Sequence, residues 1–269
     1  LLAGGQFAPE QLTILPVLPS GELALAELEA ALAAHDKSSG LPLVAVHHAN
    51  NETGVIQPIV AIASIVKAHG GILVVDAVQS IGRIPLDISD TCGDFFIVSS
   101  HKIGGPKGAG AIIGVTDLMM PVSVLRGGGQ EKGRRSGTEP LPAIAGFGAA
   151  AGLVRERLAR SGELAMKRDR IEAIVTSAAP DCDFRGGSTA ARLPNTSFFS
   201  IPGMRAETMQ IAFDLAGVAV SAGSACSSGK VGPSHVLKAM GVENDLGAIR
   251  VSVMLETTDE DIERFERAF

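Results

Sequence analysis

The chain contains no tryptophan and no tyrosine, and all ten of its aromatic residues are phenylalanine. Without Trp or Tyr there is no obvious platform for stacking single-stranded bases. Positive charge is also scarce. Lys and Arg total 23 against 29 Asp and Glu, a formal charge of −6, the wrong balance for a surface that neutralises phosphate backbones. Both features argue against nucleic acid as a partner. The three cysteines, Cys92, Cys182 and Cys226, are widely scattered and form no CxxC pair, so neither a disulfide framework nor a four-cysteine zinc site is readable. A reducing, cytoplasmic compartment is the simplest expectation. Mean hydropathy is positive, yet no run of about 18 apolar residues occurs, so no membrane-spanning helix is expected. No charged-then-apolar signal segment opens the chain, and no internal repeat or low-complexity tract is found.

What is present is a composition for a packed core: 46% hydrophobic and 19% charged residues over 269 positions. Chains of this size bury roughly 70 to 75% of the surface exposed when unfolded, enough for one or two domains without staples. The first residue is Leu1 rather than Met. We therefore expect a piece of a longer gene product.

Over the first half, apolar runs alternate with helical periodicity. Residues 12–18 read as a strand. Ser20 then offers an N-cap for a helix bearing Leu25, Leu28 and Leu32 on one face. Residues 43–47 are a short apolar strand, followed by a helix marked by Ile59, Ile62 and Val66 and closed by Gly70 and Gly71. Further apolar runs at 72–75, 95–98 and 109–115 complete the pattern. Such runs separated by helices predict an α/β fold with a largely parallel sheet flanked by helices. After Thr138 the spacing predicts a long helix over 140–165, then strands at 196–201, 218–220 and 249–253, and a charged helix from Asp259. The expected organisation is a large domain over 1–155 and a smaller α+β C-terminal domain over 156–269.

Ligands of open parallel sheets bind beyond the carboxyl ends of the strands, so the polar residues that follow each apolar run carry the functional information. After 43–46 comes His47-His48-Ala49-Asn50-Asn51-Glu52-Thr53-Gly54, after 72–75 comes Asp76-Ala77-Val78-Gln79, and after 95–98 comes Ser99-Ser100-His101-Lys102. A fourth cluster is the glycine-rich Arg126-Gly127-Gly128-Gly129-Gln130, with Arg135-Ser136-Gly137-Thr138 behind it. Gly104-Gly105-Pro106-Lys107-Gly108 is not a nucleotide loop, because a Walker loop needs Gly-Lys followed by Ser or Thr. Singly, each cluster is an ordinary turn. Together, a carboxylate at one strand end and a lysine at another meet the requirement for pyridoxal 5'-phosphate (PLP). The lysine amine condenses with the aldehyde, and the carboxylate keeps the ring nitrogen protonated as an electron sink. Ser99, Ser100 and His101 would supply donors for the phosphate, and Gln79 would reach the phenolic oxygen.

These stretches, with Ser221-Ala222-Gly223-Ser224-Ala225-Cys226-Ser227-Ser228 and Pro233-Ser234-His235 further on, resemble the NifS/IscS-type cysteine desulfurases of the class V aminotransferase family, PLP enzymes of fold type I. The resemblance covers nearly the whole chain in the expected order. It implies that Lys102 holds the cofactor and that Asp76 pairs with its ring nitrogen. Gln79 and Asn51 would lie on the phenolic side, with Asn51 also near the substrate carboxylate. Ser99 and His101 would hold the phosphate. Thr138 would reach the phosphate of a neighbouring subunit, making the enzyme a homodimer with shared sites. Arg250 would receive the substrate α-carboxylate, and Cys226 would be the nucleophile. Cys226 also stands in a small, polar segment beside Lys230, where thiolate chemistry is favoured. By contrast Cys92 and Cys182 read as small buried hydrophobes.

The implied reaction converts L-cysteine to L-alanine, leaving sulfur on Cys226 as a persulfide for an acceptor protein such as an iron-sulfur cluster assembly scaffold. The resemblance also implies a segment before the region matching Leu12, with a phosphate loop and a histidine that stacks on the PLP ring. Neither is in these 269 residues. Alternatives are another class V enzyme, a selenocysteine lyase or an aminotransferase, and a non-catalytic interaction protein that kept the fold.

Overall fold

The computed structural model describes residues 7–90, 93–186, 190–222, 234–242 and 246–269. Cys92 and Cys226 lie outside the described residues.

Four apolar runs become the first sheet: β1 (Leu43–His47), β2 (Ile72–Asp76), β3 (Phe95–Ser99) and β4 (Gly110–Gly114), in that spatial order. β1, β2 and β3 are parallel, whereas β4 runs antiparallel to β3, pairing Phe95 with Gly114 and Ser99 with Gly110. The crossover from β1 to β2 is helix α2 (Ile59–Ala68), preceded in the chain by helix α1 (Leu25–Ala33). One face of α2 buries Ile59, Ile62, Ala63 and Val66. They meet Leu73, Val75 and Phe96 of the sheet and Leu28 of α1 in a single hydrophobic cluster. Gly70 ends the helix in the left-handed region at φ +73°, where a side chain would be strained. The edge strands are less covered, and Ile112 of β4 is 62% exposed.

The second half builds a separate antiparallel sheet from β5 (Asp183–Phe184), β6 (Thr196–Ser200), β7 (Ser221–Ala222) and β8 (Ile249–Ser252), in spatial order β5-β6-β8-β7. Between the sheets run α3 (Gln130–Gly133), α4 (Leu141–Gly152), α5 (Val154–Ala159) and α6 (Ser161–Ala178). Later come α7 (Ala206–Leu215), α8 (His235–Ala239) and α9 (Asp259–Ala268). Val175 of α6, Phe199 of β6, Phe213 of α7 and Phe265 of α9 form a second cluster, with the Phe213 and Phe265 rings stacked at 5.2 Å. Phe184, Phe199, Phe213, Phe265 and Phe269 pack in this core, while Phe96 and Phe147 pack in the first. α9 opens with a capping box, in which Thr258 Oγ1 accepts from Asp261 N and Asp261 Oδ2 accepts from Thr258 N.

Four expectations need correction. Residues 12–18 are no strand. They make one isolated bridge, Val17 to Leu23, because Pro16 has no N–H for a ladder. Ser20 does not cap α1: its hydroxyl donates to Glu22, and the cap position falls to Ala24 without a side-chain hydrogen bond. The helix expected over 140–165 is three helices. It breaks at Leu153 after the glycine-bearing end of α4 and again at Arg160. The strand expected at 218–220 is displaced to Ser221–Ala222, because Val218 N closes the end of α7 on Phe213 O. Among the described residues, no helix is long and apolar enough to cross a membrane.

Candidate active site

Because β1, β2 and β3 are parallel, the turns that follow them gather at one edge of the sheet. After β1, the Asn50 side chain accepts hydrogen bonds from Glu52 N (2.8 Å) and Thr53 N (3.0 Å), and Gly54 closes the turn at φ +75°. This Asx turn presents Asn51. The Asn51 carbonyl accepts from Arg250 Nη1 at 2.7 Å, and Arg250 Nη2 donates to Ser221 Oγ at 3.2 Å. Arg250 thus joins the second sheet to the first at the site, with no carboxylate ion-paired to it among the described residues. Next to Asn51, Glu52 is only 2% exposed and accepts a 2.6 Å hydrogen bond from Ser234 Oγ at the start of α8.

β2 ends on Asp76. Its Oδ1 accepts from Val78 N at 3.0 Å, which fixes the carboxylate's direction, and the turn continues through Gln79. β3 ends on Ser99, and a one-turn 3-10 helix, Ser100–Ile103, carries the half-buried Lys102. Gly104 stops that turn at φ +88°. Ser99 Oγ and His101 Nδ1 stand 2.8 Å apart on the solvent side. Ser100, expected from the sequence as a phosphate donor, does not join them. The residue is fully buried and its hydroxyl has no hydrogen-bond partner. The hydroxyl lies against Gly105, where a Cβ would run into it. The alternation along the chain sends Ser100 inward while Ser99 and His101 face out. Thr138 is exposed in the stretch between α3 and α4.

Two residues near these turns were not singled out from the sequence. His47 stands directly opposite Asp76 in the β1–β2 register. Burial holds its imidazole below the usual value, with the Asp76 charge pulling the other way. Arg83, in the turn after Gln79, is the second. Desolvation lowers its pKa, and its guanidinium is spent on backbone carbonyls. His47 was discernible only as part of a His-His pair, and Arg83 carried no pattern signal.

His48, 7% exposed, also has its pKa lowered, first by burial and then by the His47 ring. A folded-state value below the unfolded one means that acid protonates the unfolded chain first. Stability is therefore complete at neutral pH and is lost as pH falls through the unfolded histidine value. Urea melts should show a lower midpoint at about pH 5.5 than at about pH 7.5, with His48→Gln flattening the difference.

The donor set fits PLP. Lys102 forms no ion pair among the described residues. One Asp76 oxygen is held by Val78 N, and the Ser99–His101 pair faces outward beside the lysine. The fold and site thus define an α/β protein with a lysine and a carboxylate at neighbouring ends of a parallel sheet. The aminotransferase class-V model matches residues 6–265, and the chain belongs to that family. It is 41% identical over 259 residues to a cysteine desulfurase of Nostoc sp., covering 94% of this chain and 62% of that protein. It is 39% identical over 261 residues to a cysteine desulfurase IscS of Anaeromyxobacter sp., covering 96% of this chain and 63% of the relative. Among solved structures, a NifS-like protein from Rickettsia africae superposes with a TM-score of 0.84 at 36% identity, over all of this chain and 71% of the other. The chain thus spans about 62% of the length of the curated relatives it matches.

Proposed function

We propose that this chain is the greater part of a PLP-dependent cysteine desulfurase that converts L-cysteine to L-alanine. The observation that carries the reading is the placement of Asp76 and Lys102 at the carboxyl ends of adjacent parallel strands. Similarity to cysteine desulfurases over 94% of the chain supports it.

When bound, PLP supplies an electron sink for the bond-breaking at the substrate's Cα. Lys102 would hold the cofactor through its amine and would take the Cα proton, a transfer made effectively intramolecular by its fixed 3-10 turn. Asp76, oriented by Val78 N, holds a proton at the ring nitrogen. Gln79 and Asn51 would hold the phenolic side. Ser99 and His101 bind the phosphate, joined by Thr138 from a neighbouring subunit. Arg250, already anchored on the Asn51 carbonyl and Ser221, offers its fork to the substrate α-carboxylate. The Cys226 thiolate attacks the substrate sulfur. A sulfur-sulfur bond forms and the carbon-sulfur bond breaks. The electron pair of the broken bond stays on carbon and is protonated to give alanine, so no outside oxidant or reductant is needed.

The product persulfide is a carrier for an acceptor protein, as in iron-sulfur cluster assembly, and the compartment is the cytoplasm. A homodimer is supported by a run of uncovered apolar side chains, among them Leu118, 96% exposed, and Val122 and Val124, each at least 75% exposed. The large and small domains divide near residue 155. Phe147 of α4 packs on the first cluster, and Leu164 of α6 belongs to the second.

Cys226→Ala tests the transfer step. The variant should retain the cofactor's absorbance and lose both alanine production and the mass increment of one sulfur on the protein. Undiminished alanine and sulfide production by this variant would refute the thiol's role.

A further inference from the structure

Arg83 sits in the turn between β2 and β3, and its guanidinium reaches both cofactor-bearing turns. Nη1 donates to the Gln79 carbonyl at 2.7 Å, and Nη2 donates to the Lys102 carbonyl at 3.3 Å. Gln79 belongs to the turn that follows Asp76. Lys102 belongs to the 3-10 turn after β3, 19 residues further along than Arg83. The Lys102 carbonyl lies in the last turn of a short helix, where carbonyls lack intrahelical donors and a positive charge is favoured. The Arg83 turn also lies directly on that helix. At Gly82, which adopts φ +74°, a Cβ would come within 3.5 Å of Ile103, itself 5% exposed.

Among the described residues no carboxylate pairs with Arg83. A shielded guanidinium without a counter-charge is costly to keep, and among the described residues this one makes side-chain hydrogen bonds only to two main-chain oxygens of the candidate site. Packing alone would be served by an apolar residue of similar length. A two-pronged donor is needed where two backbone segments must be held at a fixed separation.

We propose that Arg83 is a positioning residue that locks the Lys102 turn to the Gln79 turn, and so sets where the lysine amine stands relative to the Asp76 carboxylate. The inference rests on the reading of Lys102 and Asp76 as the PLP-holding pair. Arg83 hydrogen-bonds to the Gln79 and Lys102 carbonyls rather than to the amine or the carboxylate, so its effect passes through the backbone.

The test is titration of PLP into the apo form of the full-length protein, for wild type, Arg83→Gln and Arg83→Lys. Affinity and the position of the visible absorbance band of lysine-bound cofactor are read out, and melting temperatures are taken on the apo proteins. Loss of two hydrogen bonds from a charged donor should weaken PLP binding by about tenfold or more in Arg83→Gln and displace the band. Arg83→Lys retains the charge and one donor, so it should recover part of the affinity and return the band toward its wild-type position. If Arg83→Gln does not fold, the inference stands or falls on the lysine variant, whose single prong should still give weaker binding than wild type and a displaced band. Wild-type affinity and an unmoved band in every variant that folds would overturn the inference while leaving the PLP reading intact. So would a lowered apo melting temperature with an unmoved band, which would make Arg83 a residue of the fold alone. A wild-type protein that binds no PLP would overturn both.

Discussion

Alanine at Lys102 should reduce alanine formation from L-cysteine by about 10⁴-fold, the upper end of what one positioned proton-transfer group contributes. The side chain is half-buried and ion-paired with nothing among the described residues. The backbone of its 3-10 turn is held by bonds that do not involve the amine, including Gly105 N to Ser100 O and Arg83 to the Lys102 carbonyl. The fold should therefore survive, and circular dichroism should match wild type while turnover collapses. Two proposed tasks would disappear with the amine: covalent retention of the cofactor and removal of the Cα proton. Added primary amines restore only the second, so partial rescue by methylamine with PLP in excess would be consistent with this division. Turnover within tenfold of wild type in unrescued Lys102→Ala would exclude the lysine from the chemistry.

Asp76→Asn carries the second large effect. Asparagine is nearly isosteric and keeps an oxygen for Val78 N, so the turn after β2 should be preserved. What is lost is the negative charge, and with it the proposed hold on a proton at the ring nitrogen. A charge-assisted hydrogen bond of this kind is worth about 1.5 to 3 kcal/mol, so kcat should fall by about 10²-fold at most. KM should move far less, because the substrate carboxylate is proposed to bind Arg250, whose guanidinium is anchored on the Asn51 carbonyl. The neighbouring His47 is part of the same environment, since burial holds it toward the neutral form opposite Asp76. A change confined to KM would assign Asp76 to substrate binding instead.

Much of this arrangement was legible in the sequence because it rests on short-range physics. Strands β1, β2 and β3 are continuous apolar runs bounded by polar turns; the helix between the first two accounts for their parallel pairing, and β3 pairs parallel to β2 with turns rather than a helix between them. That pairing alone places Asp76 and Lys102 at one sheet edge. The antiparallel course of β4 was not legible, because an apolar run of this length carries no sign of direction. The burial of Ser100 was not legible for a related reason. In a tight turn, neighbouring hydroxyls point to opposite sides, and only the packed structure shows which one faces Gly105. Arg83 escaped notice because its partners are main-chain carbonyls, one of them beyond the next strand. A hydrogen bond to backbone leaves no residue-type signature at its acceptor.

The most direct measurement is reduction of the PLP-loaded full-length protein with borohydride, followed by proteolysis and mass analysis of the peptides. The pyridoxyl mass is expected on the peptide that contains Lys102, and on no peptide when Lys102 is replaced by alanine. A label on another lysine, or none on the wild-type protein, would overturn the assignment of these strand ends as a PLP site.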